Sequence, residues 1–598
     1  MRVADYIIDF IYKKGVGHIF TLAGGGAMFL NDAVACHKKI KYICHHHEQA
    51  AAMAADAYAK TTGNIGAVMI TSGPGSTNAI TGLLGAWGDS IPCIFLSSQT
   101  KRAQMIQFSG VRSLRQFGIQ EVDIIPIVRS LTKYAVVVEK PEDIRYHLEK
   151  AYFLAKSGRP GPVWLDIPSD VAGSLIDPKT FIGFDNDDYD ASNPKASYED
   201  IVKVIRFLTN AKKPLIIAGG GIRLSDAVNQ FRKLVKILKI PVVVPDMGLD
   251  LLEFNNPYYV GHAGTKGQRA ANIVIQNADL LLSIGSRLAV PFTGHEYNKF
   301  APHAKKIVVD IDQKEHKKKT IKIDLLITSD ARLFIEALRK GLKKRKLNIN
   351  KDWPDKCRQL KYRYPSCMKE YRKMKKTVNM YYAINRISEY SDEGDIFTVD
   401  AGATAYATSQ ALRLKKYQRM IIPGCTLTMG YNLPAVIGIW AAKPSSRIIC
   451  ITGDGSFQLN IHELQTISHH KIPAKVFITN NRGYLAIRQT QRNFFPGRFI
   501  GEGLRSGVSF PDTEKIAKAY EIKFFRIENN RQLNQTIKKV FRHKGPVICE
   551  IICPEWQDIL TVSSKKLPDG QMTSLPIDDM YPFLSDAEKE EIRKDFSY

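Results

Sequence analysis

Gly453-Asp454-Gly455-Ser456 is followed, after 24 intervening residues from Gly455, by Asn480-Asn481. A carboxylate and an amide oxygen at the ends of neighbouring strands can share one hard cation, and Mg²⁺ takes oxygen in an octahedron. Two such side chains plus a backbone carbonyl leave coordination positions for the oxygens of a diphosphate. Two unrelated turns, one DG and one NN, are the bland alternative. A second metal question is posed by the consecutive His45, His46 and His47. On an extended strand adjacent side chains point to opposite faces, so these three cannot converge on one ion, and no zinc site is expected there.

To hold Asp454 and Asn481 in reach of one ion, the chain needs parallel strands that end in tight turns. It has runs of that type: GAVMI (66 to 70) into TSGPGSTN, PLIIA (214 to 218) into GGG, LLLSI (280 to 284) into GSR, and RIICI (447 to 451) into TGDGS. Runs apolar on both faces read as buried parallel strands, and glycine after them lets backbone amides approach phosphate at a helix start. Phe457, Ile461 and Leu464 recur at i, i+4, i+7 and predict a helix after the Gly455 turn, with AKVFIT as the next strand. The unit is therefore strand, turn, helix, strand, with Asp454 and Asn481 at adjacent strand ends.

The length of 598 residues argues for three or four folded units. Hydrophobic residues make 44% and charged residues 24%, without a stretch apolar enough to span a membrane, which excludes disordered, collagen-like and membrane-spanning classes. The start, MRVADYIIDFIYKKG, reads as an amphipathic helix without a basic leader or cleavage site, so a cytoplasmic protein is expected. Nine scattered cysteines without CxxC fit reduced structural thiols. The net charge of +26 is spread in short patches such as Lys317 to Lys319 and Lys343 to Lys346, without interleaved stacking aromatics. Solvated faces and a nucleic-acid footprint are the two readings, and the first is favoured. Turn-rich residues 176 to 197, and residues 345 to 376 with Lys, Arg and Tyr but no clear sheet pattern, separate three α/β stretches. The fold expected is three doubly wound parallel-sheet domains over 1–175, 198–345 and 376–560. The tail, 561–598, lacks strand periodicity and is expected to fold over another part of the chain.

These pieces carry a family resemblance. GGGAM (24 to 28), HHEQAAAMAADAYAKTTG (46 to 63), TSGPGSTNAITGL (71 to 83), SGRPGPVWLDIPSDV (157 to 171), VDID (309 to 312), TMGYNLPAVIG (428 to 438) and ITGDGSFQLNIHEL (451 to 464) resemble the catalytic subunit of acetolactate (acetohydroxyacid) synthase, a thiamine-diphosphate enzyme. The resemblance covers about residues 1 to 560. It implies a pyrimidine-binding domain, a Rossmann-like middle domain and a diphosphate-binding domain, in that order. It implies thiamine diphosphate and Mg²⁺, with Asp454, Asn481 and the Gly483 carbonyl as metal ligands. It makes Glu48 the activating glutamate, whose carboxylate hydrogen-bonds the pyrimidine ring and so favours the tautomer that removes the thiazolium proton. A helix-start acid favoured by the macrodipole is the alternative for Glu48. Gln120 is implied to reach into the active site. Gly24, Gly25, His47, Thr71, Pro74 and Asn78 are implied around the pyrimidine, Met429 beneath the bent cofactor, and Gly402, Gly453, Gly455, Ser456 and Tyr484 near the diphosphate. The cofactor of such enzymes lies between two subunits, so a homodimer is the minimum and a homotetramer is expected.

Two departures stand out. Where acetolactate synthases have an Arg for the carboxylate of the second oxo acid, GSRLAVPFTG offers Pro291, and an apolar ring cannot neutralise a carboxylate. Where they have a Trp narrowing the acceptor pocket, NNRGYLAIRQTQ offers Thr490. The activity expected is decarboxylation of pyruvate or a similar 2-oxo acid with transfer of the two-carbon unit to a carbonyl acceptor. The alternatives are a keto-sugar acceptor, often nucleotide-linked, as in synthase-like proteins of surface-polysaccharide pathways; a simple decarboxylase; and a basic polyanion-binding protein. FAD is left open: Gly219 to Gly221, Arg287, Asp310 and Asp312 are retained, while Ala289, Val290 and Pro291 replace the Asp-Asp-Arg of the flavin segment.

Overall fold

Strands such as GAVMI and LLLSI are buried along their whole length, because helices cover both faces of the sheets that contain them. A computed structural model describes residues 1–185, 193–343, 350, 352–566 and 568–596. Its strands form three six-stranded sheets, and every pairing within them is parallel.

The first sheet contains β1 (His18–Thr21), β2 (Lys41–Cys44), β3 (Gly66–Ile70), β4 (Cys93–Gln99), β5 (Tyr134–Val137) and β6 (Val163–Pro168), in the order β2-β1-β3-β4-β6-β5. The second contains β7 (Pro214–Ala218), β8 (Val242–Val244), β9 (Tyr259–His262), β10 (Leu280–Ile284), β11 (Lys305–Asp310) and β12 (Leu325–Thr328), in the order β12-β11-β10-β7-β8-β9. That is the dinucleotide-fold order read from its other edge. The third contains β13 (Ile396–Val399), β14 (Arg419–Ile421), β15 (Ile448–Gly453), β16 (Lys475–Asn480), β17 (Lys523–Ile527) and β18 (Val547–Ile552), in the order β14-β13-β15-β16-β18-β17. It repeats the topology of the first sheet strand for strand.

One helix pair joins these two like sheets. After β2 the helix Glu48–Thr62 is Ala-rich and buried on nearly every side, opening at the His47 cap and ending at Gly63 with φ 73°. After β14 the equivalent helix, Asn432–Ala442, packs against it. A Cβ on Gly438 would lie 2.0 Å from the carbonyl oxygen of Ala54, so glycine there sets the approach. Ala51, Ala54, Tyr58, Leu433, Val436 and Ile437 belong to one apolar cluster spanning both sheets. Across the same contact Lys60 is buried, its Nζ 2.8 Å from both Asp56 and Asp89, and it donates to the Ile422 carbonyl. A buried ammonium is tolerated only when so paired.

The segment 345–376, expected to show no clear sheet pattern, carries the helix Asp352–Arg363; residues 345–349 and 351 of it, like 186–192 of the first boundary, lie outside the described residues, as does most of the Lys343 to Lys346 patch. Two expectations are corrected. The tail contains two antiparallel pairs, Thr561–Val562 with Met580–Tyr581 and Ser564–Lys566 with Met572–Ser574, and a helix, Asp586–Phe596. Strand periodicity is invisible there because the strands are two or three residues long. The tail does fold over the second sheet's layer: Asn272 donates to the Ile577 carbonyl, Arg269 to those of Met580 and Pro582, and Phe596 meets Trp353 edge to face. Second, the helix predicted directly after Gly455 starts later. Ser456–Gln458 is a single 3₁₀ turn and the α-helix is Glu463–His469. Asn460 intervenes, its side-chain amide donating to the Gly430 carbonyl at 2.8 Å. No described helix is long and apolar enough to cross a membrane.

Candidate active site

The turns after β1 and β3, neighbours in the first sheet, meet where the strand order reverses, the place ligands occupy in open α/β sheets. Gly24 follows β1 and Thr71 follows β3. A Cβ on Gly24 would lie 2.5 Å from that of Thr71, so the two turns are in backbone-to-side-chain contact. Pro74 opens the short helix Pro74–Asn78. From its last residue, Asn78 Nδ2 donates to Glu48 Oε2 at 3.0 Å. A Cβ on Gly75 would come 3.3 Å from Glu48 Oε1 and 2.7 Å from Thr71 Cγ2, so Glu48, Thr71 and Asn78 converge. Glu48 is buried, and Thr71 Oγ1 is buried without a partner among the described residues. A carboxylate held by one neutral amide, beside an unused hydroxyl, fits a ligand with its own donor and acceptor.

Gly25 faces open space within a 3₁₀ turn. Gln120 is exposed in a turn at φ 56°, with its carbonyl 2.2 Å from where a Cβ on Gly73 would stand, beside Pro74. The histidines have separate tasks, and they lie beyond the end of β2 rather than on a strand as expected. His45 Nδ1 is 2.9 Å from Glu463 Oε2, the His46 N–H donates to Glu463 Oε1, and His47 Nδ1 accepts from the Gln49 N–H as helix cap.

The third sheet presents the other group. Asp454 follows β15, whose last residue is Gly453, and Asn481 follows its neighbour β16. Asp454 Oδ1 accepts from the Gly455 N–H at 2.9 Å and Oδ2 from the Gly483 N–H at 3.1 Å. Burial pushes this carboxyl up to about 7, against those N–H groups, that of Arg482 and the charge of Arg488, which all favour the carboxylate. Asn481 is 3% exposed and its Oδ1 is without a partner among the described residues. Tyr484 stands on Gly455: a Cβ there would be 2.2 Å from its ring. Ser456 is buried at the start of the 3₁₀ turn. Gly402, at φ 63° with open space around it, begins the helix after β13. Met429 is half-buried beside Gly430, whose N–H donates to Asp400. The donor set of Asp454 and Asn481 is all oxygen and includes an orphaned, buried one, which suits a hard cation such as Mg²⁺ and not a thiophilic one.

Three buried residues that tie the turns of this region together gave no signal in the sequence. Glu463 binds the His45–His46 turn to the third sheet; Asp400, pushed up to about 7 by burial, takes the N–H groups of Ala401 and Gly430; Arg488 is described below. Asp56 and Lys60, an acid and a base four apart in an alanine run, were a visible signal of a buried pair. The departure positions are both exposed, Pro291 in the turn of helix Val290–Thr293 and Thr490 on helix Leu485–Phe494. In the second sheet's layer, Asp310 faces His316 Nε2 at 3.2 Å, Asp312 accepts from Arg159 at 3.2 Å, and Arg287 gives its carbonyl to Lys318.

Residues 1–134, 201–338 and 400–551 match, respectively, the N-terminal TPP binding domain, the central domain and the C-terminal TPP binding domain of thiamine pyrophosphate enzymes. An acetolactate synthase large subunit from Cyanidium caldarium is 32% identical over 587 residues, covering 95% of this chain and 96% of its own. One from Lactococcus lactis subsp. lactis (strain IL1403) is 32% identical, with 96% of each chain covered. The acetolactate synthase isozyme 2 large subunit of Escherichia coli (strain K12) is 30% identical, covering 94% of this chain and 97% of its own.

Proposed function

Because the chain belongs to the thiamine pyrophosphate enzymes, and within them to the acetolactate synthase large-subunit group, we propose that it decarboxylates pyruvate or a similar 2-oxo acid and joins the two-carbon unit to a carbonyl acceptor. Its general class, a thiamine-diphosphate-dependent carboligase, follows from membership. When bound, thiamine diphosphate supplies the electron sink that lets a 2-oxo acid lose CO₂. Glu48 Oε1 and Oε2 would hold and return a proton at the pyrimidine end, with Asn78 fixing the carboxylate's orientation. Asp454, the Asn481 amide oxygen and the Gly483 carbonyl would hold Mg²⁺ at the diphosphate end, and Tyr484 over Gly455 would close that end against water. The observation that carries the reading is the buried, unpartnered Asn481 Oδ1 two residues before Gly483, whose N–H donates to the Asp454 carboxylate.

The same proposal makes a homodimer the smallest working unit, Glu48 coming from one copy and Asp454 with Asn481 from the other, and a homotetramer the next. Exposed apolar side chains beside both groups support it, Phe117 and Ile119 near Gln120, and Ile487, Ile500 and Leu504 around the Tyr484 segment. The proposed steps involve no net oxidation, so FAD is no part of them.

A second reading takes a keto sugar as acceptor. Pro291 and Thr490 favour it, because neither a cation for a carboxylate nor a large ring stands at those positions. Purified chain with Mg²⁺, thiamine diphosphate and pyruvate alone separates the two. Steady acetolactate formation is the outcome expected of the first reading, CO₂ release without acetolactate of the second. Failure to consume any 2-oxo acid would overturn both.

A further inference from the structure

Arg488 is 4% exposed, and its guanidinium does not reach the surface. It is spent on the loop that carries the proposed cation ligands. Nη1 donates to the carbonyls of Asn481 at 3.3 Å and Glu555 at 2.5 Å, Nη2 to those of Arg482 at 3.1 Å and Glu502 at 3.3 Å, and Nε to the Glu502 carboxylate. Five contacts from three nitrogens use the planar fork in full, which an ammonium cannot do.

The loop needs such a hold. Arg482 and Gly483 have positive φ in succession, 57° and 151°, and a Cβ on Gly483 would come 2.0 Å from the Glu502 carbonyl and 2.5 Å from Arg488 Nη2. The Tyr484 N–H donates to that same Glu502 carbonyl at 2.8 Å. The guanidinium thus turns the carbonyls of Asn481 and Arg482 inward. That leaves the Gly483 N–H on Asp454 and the Asn481 amide oxygen unused.

We propose that Arg488 is the positioning residue of the cation loop: it fixes the backbone of Asn481 to Gly483 against Glu502 and Glu555, and so presets the geometry in which Mg²⁺ is captured. The role rests on the reading that Asp454, Asn481 and Gly483 hold the cation. Residues that orient metal ligands in this way cost about 10- to 100-fold in metal affinity when replaced.

The test uses the full chain with fixed thiamine diphosphate, titrates MgCl₂, and reads cofactor uptake by quenching of tryptophan fluorescence, without turnover. Arg488→Met should raise the Mg²⁺ half-saturation about tenfold or more. Arg488→Lys should raise it in the same direction, keeping the Glu502 pair and losing the carbonyl contacts, and it carries the test if the methionine variant does not fold. A merely structural arginine would lower the melting temperature of the cofactor-free chain and leave the half-saturation in place. That result, in either folded variant, overturns the proposal. A wild-type chain whose cofactor uptake ignores Mg²⁺ overturns the cation site itself and this role with it.

Discussion

The first and third sheets are built alike and charged differently. Strand for strand their orders coincide, and the helices after their second strands pack against each other. In the first sheet the turns at the strand ends bring together a carboxylate, a hydroxyl and an amide, Glu48, Thr71 and Asn78, with a single hydrogen bond recorded between them. In the third, the turn after the third strand carries Asp454 and the turn after the fourth carries Asn481, in a loop tied down by Arg488. The shared topology fixes where a ligand can lie. The residues in four or five turns fix whether that place holds a proton or an ion.

If this division is right, the two ends fail differently. Glu48→Gln should keep the fold and the thermal upshift on adding thiamine diphosphate with Mg²⁺, while turnover falls by about 10²- to 10⁴-fold. Asp454→Ala should lose both the upshift and turnover, because it removes the one charged ligand. Melting curves with and without cofactor, beside CO₂ release, check the pair. A Glu48→Gln chain that no longer takes up cofactor, or an Asp454→Ala chain that still does, would reverse the assignment of the two sheets.

The contact between the sheets sharpens the comparison next. Gly438→Ala places a methyl against the Ala54 carbonyl, where neither helix can give way without moving its sheet. Overpacking of this kind costs about 1–3 kcal/mol. A lowered denaturation midpoint with unchanged slope is expected. An unchanged midpoint would mean that the helix pair is not what binds the two sheets.

Much of this architecture is legible in the sequence, and the misses have physical causes. GAVMI, PLIIA and LLLSI are strands with the bounds expected, and the fourth run starts one residue later, at Ile448, and extends two further, to Gly453. Apolar runs ending in glycine are unambiguous because only a doubly covered strand is dry on both faces. The i, i+4, i+7 spacing after Gly455 misleads because Asn460 spends its amide on a distant carbonyl and breaks the turn. Glu48 and Asn78 lie 30 residues apart and Arg488 is 14 from Glu502. Such pairings depend on which loops meet, which no local spacing encodes. Spacing alone picks out Asp454 with Asn481, and the resemblance to known enzymes gives Glu48 its role; neither assigns a role to Arg488, Asp400 or Glu463.

The smallest expected effect distinguishes the sheets by pH. β6 and β18 are equivalent strands, and each buries an acid, Asp166 and Glu550. Glu550 faces a cation, Arg526 at 2.7 Å. Asp166, whose side-chain hydrogen-bond partners among the described residues are Ser97 and Gln99 at 2.5 and 3.1 Å, has its carboxyl pushed up to about 7 by burial, with the nearby charge of Asp123 adding to it, against those two bonds. A carboxyl raised in the folded chain binds a proton that the unfolded chain has already released. Its contribution to stability is complete below the unfolded value near 3.8 and is lost as pH rises through about 7. The cofactor-free chain should therefore lose stability between pH 5 and 8 with a slope of up to about one proton from this group. Asp166→Asn should flatten that component, since its amide nitrogen can donate to Ser97 where the protonated oxygen would, while its oxygen still accepts from Gln99. The gap between melting temperatures at pH 5.5 and 8 should narrow in the variant by this group's share, while Asp400 and Asp454, also raised to about 7, keep theirs in both chains. Equal slopes in both chains would show that the folded chain keeps Asp166 ionised, as a cation partner would make it and as none of its hydrogen-bond partners can.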